Sequence, residues 1–154
     1  MPTPPTTFGT LDLSALAEAE RLAFYGALFA MSAADRSMDA SETDRIFESL
    51  DLSDVSPEGR KRVLAQAIHP PPLERCVLAL KDAGLAIRRG LMLNLIDIVL
   101  ADESIEPGEH LGLHQARQIL DLSRDEVAEL HNVAYAVQQA GTVTRPIGLP
   151  NESA

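Results

Sequence analysis

Apolar positions between Leu16 and Met31 recur at helical spacing, with Leu16, Leu22, Phe24, Tyr25, Leu28, Phe29 and Met31 on one face. Ser14 stands where it can N-cap this run, which predicts a first helix from there to about Asp35. Asp39 is placed to cap a short second helix carrying Ile46, Phe47 and Leu50. Ser56-Pro57-Glu58 opens a third, with a capping Ser before Pro at the first helical position. Pro70, Pro71 and Pro72 break the chain before a fourth helix, Leu73 to Ala83, ended by Gly84. From Leu85 to Ala101 only a narrow polar stripe, Asn94 and Asp97, interrupts the later apolar run, with Asp97 either the edge of that stripe or a buried carboxylate. This fifth helix is expected to be mostly buried and central. A sixth starts at Pro107. A seventh starts at Ser123, where Ser123-Arg124-Asp125-Glu126 fits a capping box, and Gly141 ends it. No period-two segment is long enough for a strand. The pattern predicts an all-α fold, a single compact domain of six to eight helices over 11–141. A mobile Pro- and Thr-rich arm at 1–10 and a flexible or loosely docked tail at 142–154 complete the chain.

One acidic pattern is written twice, 67 residues apart, each time after an apolar run. Ala34-Asp35-Arg36-Ser37-Met38-Asp39-Ala40-Ser41-Glu42 matches Ala101-Asp102-Glu103-Ser104-Ile105-Glu106-Pro107-Gly108-Glu109. The lead-ins agree in phase, with Leu28, Phe29 and Met31 opposite Leu95, Ile96 and Ile98. A duplicated helix–corner–helix unit is therefore expected. Leu-Asp-Leu-Ser, at 11–14, 50–53 and 120–123, reads as helix-junction grammar, its Ser a cap at the first and third copies.

The corners carry the candidate chemistry. Asp35, Asp39 and Glu42, and in the second copy Asp102, Glu106 and Glu109, offer the oxygen ligands that calcium, magnesium or manganese require. Their spacing is too short for a twelve-residue EF-hand loop. Capping alone accounts for Asp39 with Glu42 and for Glu106 with Pro107 and Glu109. It does not account for Asp35 and Asp102, which follow a helix C-terminus, where the macrodipole disfavours negative charge. Structural caps, a bound cation and a basic partner are the three readings.

His110 and His114 lie four apart on the sixth helix, next to Glu109, a spacing able to hold zinc or another transition metal. Ordinary half-exposed histidines are the plain reading; the metalloenzyme alternative takes Glu109, His110 and His114, the third ligand being Glu109 or the distant His131 or His69. The glutamate that follows the first His in zinc proteases is absent. No phosphate loop or nucleophile elbow is present either, so no catalytic residue is assigned and a non-enzyme is expected.

The net charge of −10 over 154 residues argues against nucleic acid and against a polybasic membrane surface. Arg60-Lys61-Arg62 and Arg88-Arg89 are expected to be solvated or to pair with acids of the same chain. Cys76, the single cysteine, excludes an intrachain disulfide and reads as a buried, inert thiol. The opening Met-Pro-Thr-Pro-Pro-Thr-Thr has neither the charged nor the apolar region of a signal peptide. Leu91 to Ala101 is too short to span a bilayer, so a cytoplasmic protein is expected.

The paired Ala-Asp-x-x-apolar-x-x-x-Glu corners, each between an apolar helix and a short second one, resemble the tellurite-resistance TerB-like family over about residues 20–140. Arg36 and Glu103 stand where that family commonly has Gly. The resemblance implies an all-helical internal repeat with two acidic corners. It also implies a small binding module in a tellurite, metal-stress or envelope-stress response, with a protein partner or a second copy of the chain.

Overall fold

The computed structural model of the protein describes residues 11–33, 50, 52, 55–101, 107–140 and 146–148; of Ala33, Ala101, residues 107–111 and Ala140 it describes the backbone alone. Six helices carry these residues: α1 (Glu18–Ala33), α2 (Pro57–Ile68), α3 (Leu73–Leu78), α4 (Leu85–Ala101), α5 (Pro107–Ile119) and α6 (Arg124–Ala140). Among the described residues there is no strand beyond isolated bridge positions at Leu50 and Ile147, and the fold is all-α. The short helix expected after Asp39 lies outside the described residues, except that Leu50 is buried. No described helix is long and apolar enough to cross a membrane.

Helix α4 is the centre. Every residue from Leu91 to Val99 is buried, and the helix packs against α1, α5 and α6. Only an element covered on all sides can carry such a run, which agrees with its near-continuous apolar sequence.

Two boundaries differ from expectation. Ser14 does not cap α1, which starts at Glu18. Leu11 and Leu13 are both buried while Asp12 is exposed, and burying residues two apart requires extended backbone. Asp12 then accepts from Ser14 N at 2.9 Å and turns the chain. The start of α1 is closed from within, where Glu20 Oε1 accepts from Ala17 N at 3.1 Å. Helix α3 stops at Leu78 rather than Ala83, because the backbone tightens to three-residue bonds from Leu80, Lys81 and Ala83.

The duplication extends beyond the corners. A shift of 67 residues pairs Phe24 with Leu91, Leu28 with Leu95, Val55 with Leu122, Val63 with Leu130 and Ala67 with Ala134, and all are buried. It also pairs two caps. Ser56 Oγ accepts from Gly59 N at 3.0 Å, and Ser123 Oγ accepts from Glu126 N at 3.1 Å. Helix α1 packs on α2 as α4 packs on α6, and α1 meets α4 across the two copies. The repeating unit thus reaches α2 and α6, one helix further than the acidic pattern marks.

Within the segment expected as a flexible tail, residues 146–148 are docked. Ile147 is fully buried. Asn94 Oδ1 accepts from Ile147 N at 2.8 Å, and Asn94 Nδ2 donates to Ile147 O at 3.1 Å. Leu11 N donates to Pro146 O at 2.8 Å, so the two ends of the described chain are tied together over α4.

Candidate cation corners and a basic groove

Of the corner acids, Asp35, Asp39, Glu42, Asp102 and Glu106 lie outside the described residues. Glu109 is placed only as backbone in the first turn of α5. Their setting is described. Helix α4 ends at Ala101 and α5 begins at Pro107, so Asp102 to Glu106 form the whole connection. Helix α1 ends at Ala33, two residues before Asp35. Neither α1 nor α4 has a basic residue in its last turn. In neither helix does the last turn supply a cation to the negative end of the dipole.

The histidines sort differently. His110 is described only as backbone of α5, while His114 is exposed on that helix. His69 ends α2 and is exposed. His131, on α6, lines the same groove as His114, a convergence that sequence distance concealed. Among the described residues, no three His, Cys, Asp or Glu side chains converge.

That groove has a volume of about 430 Å³ and lies over α4, with α5 and α6 as walls. Met92, Val99 and Leu100 of α4 form its floor, and Leu113 and Val127 extend the apolar surface up the two walls. Its rim carries His114, Arg117, Arg124, His131 and Tyr135. On α6 the lining residues 124, 127, 131 and 135 fall on one helical face. Arg117 is anchored by donating from Nη1 to Leu122 O at 3.2 Å, which holds its guanidinium beside the α5–α6 junction. Arg124 occupies the first helical position of α6, where the macrodipole disfavours a cation.

Other expectations resolve at single residues. Asn94 and Asp97 are both buried, so Asp97 is the buried carboxylate rather than the edge of a polar stripe. Gln138 Nε2 donates to Asp97 Oδ1 at 2.7 Å, so the carboxylate is met by α6. Arg88 pairs with carbonyls rather than acids: Nε donates to Ala83 O at 2.9 Å and Nη1 to Leu120 O at 2.8 Å. Arg89 does approach an acid, Glu129, at 4.0 Å. Cys76 is buried, and burial pushes its thiol from 9.0 up to about 11, which keeps it protonated.

No family model, no curated protein and no solved structure matches the chain. Function rests on the residues themselves. The groove was missed because its rim comes from two helices and each polar residue alone reads as solvated surface. Carrying the 67-residue register past the corners was the available signal.

Proposed function

We propose that the chain is a non-catalytic binding module of the TerB-like kind, acting in a metal-stress or envelope-stress response. Its corners, Asp35–Asp39–Glu42 and Asp102–Glu106–Glu109, take a hard divalent cation. The observation that supports this is the twofold placement of an acid just beyond a helix whose last turn lacks any basic residue. Local capping chemistry favours the opposite charge there. The buried lead-ins and the paired Ser56 and Ser123 caps support one register for the two copies, and in both an acid follows the helix in sequence.

Cations that prefer the folded state raise its melting temperature by mass action. Millimolar calcium, magnesium or manganese is expected to raise the Tm of chelator-stripped protein. Asp35→Asn with Asp102→Asn is expected to abolish that gain and leave the metal-free protein at least as stable. An unchanged Tm with all three ions contradicts the proposal. A metal-free interaction module is the second reading. It is favoured by Leu64 and Ile68, one turn apart on α2 and 49% and 65% exposed.

A further inference from the structure

The groove over α4 is chemically unlike the chain that builds it. The protein carries 23 acidic side chains against 13 Lys and Arg, yet no carboxylate among the described residues lines the groove. Instead two arginines, two histidines and a tyrosine surround an apolar floor. Concave apolar surface with a few convergent polar groups is the usual form of a small-molecule site, and about 430 Å³ falls within the usual size.

The duplication supplies an internal control. In the 67-residue register, His114, Arg117, Arg124, His131 and Tyr135 correspond to Phe47, Leu50, Pro57, Leu64 and Ile68. All five polar rim positions of the second copy are apolar in the first. The helical unit therefore does not need polar groups at these positions.

We propose that this groove binds a small anionic amphiphile: a free carboxylate with an apolar tail or ring, head between Arg117 and Arg124, body on Met92, Val99 and Leu113. Arginine suits the head because its planar fork meets a carboxylate with two parallel hydrogen bonds. Tyr135, 57% exposed, offers a ring edge for the body and a hydroxyl at the mouth. The proposal does not depend on a cation at the acidic corners.

Calorimetric titration with decanoate, below micelle-forming concentration and with chelator present, tests this apart from any cation. Saturable binding at one equivalent is expected. Arg124→Gln and Arg117→Gln are each expected to weaken it by about tenfold, the usual size of a lost charge-assisted hydrogen bond. Arg124 is exposed, so its substitution reads binding without disturbing the fold; Arg117 also holds Leu122 O, so its variant is checked by melting. Arg60→Gln with Arg62→Gln, on the first copy, is expected to leave binding unchanged. Decanol is expected to bind more weakly than decanoate, and decyltrimethylammonium not at all. Absence of saturable decanoate binding overturns the proposal. So does equal affinity for decanol, indifference to both Arg variants, or binding to phosphatidylglycerol vesicles without binding to decanoate.

Discussion

Ser56 and Ser123 sit at equivalent positions and solve the same problem by different means. At Ser123 the capping box closes within one helix: Glu126 Oε1 accepts from Ser123 N at 3.4 Å while Ser123 Oγ takes Glu126 N. At Ser56 the residue three on is Gly59, and the missing carboxylate arrives from α1, where Glu18 Oε1 accepts from Ser56 N at 2.9 Å. A Cβ on Gly59 would stand 2.7 Å from that oxygen and 2.6 Å from Val55 Cγ1, so the glycine keeps the space that Glu18 uses. Ser56→Ala is expected to cost about 1 kcal/mol in urea denaturation. The bonds from Ser56 hold the Glu18 carboxyl below its ordinary 4.5. A depressed carboxyl contributes stability that is present above its ordinary value and lost as pH falls through its folded value. The Tm advantage of wild type over Glu18→Gln is thus expected in full above pH 4.5, shrinking on acidification, and small because the group is exposed. Asp121 follows α5 with φ of 55°, left-handed backbone that glycine enters freely. Asp121→Gly is expected to raise stability by about 0.5–1 kcal/mol, read as a higher urea midpoint. The Ser56 and Ser123 caps were legible in the sequence because capping is local. Ser14 was misread because its segment answers to the burial of Leu11 and Leu13, which no local rule weighs.

At the scale of elements, α4 was legible from its composition, and its burial agrees. Its polar residues were not. Asn94 and Asp97, three apart, look like the edge of a solvated stripe, whereas their partners Ile147 and Gln138 lie 53 and 41 residues away. Distant partners leave no periodic trace. Asn94 serves as a surrogate backbone, offering one acceptor and one donor to a single residue of the tail. Asn94→Ala strands both backbone groups of Ile147, at about 1–3 kcal/mol each. A loss of about 2–6 kcal/mol is expected in urea denaturation, with faster amide exchange at Ile147 than elsewhere in the core. A loss spread evenly over the molecule, with Ile147 still protected, would contradict the clamp.

Across the whole molecule, two copies of one helical plan have diverged on their surfaces while keeping their cores in register. The first copy presents Leu64 and Ile68 where the second presents His131 and Tyr135. The corners were visible in the sequence because both copies kept them. The groove was hidden because only one copy has its polar rim, and a repeat search rewards likeness. The acids that follow α1 and α4 are the feature held in common, and cation binding there is the central claim. Calorimetric titration of chelator-stripped protein with calcium, magnesium, manganese and zinc tests it most directly. Saturable binding of at least one of the three hard ions, lost when Asp35→Asn and Asp102→Asn are combined, is the predicted result. No saturable heat with any of the four ions, or binding of zinc alone that survives both Asn substitutions and is lost in His114→Ala, would contradict it.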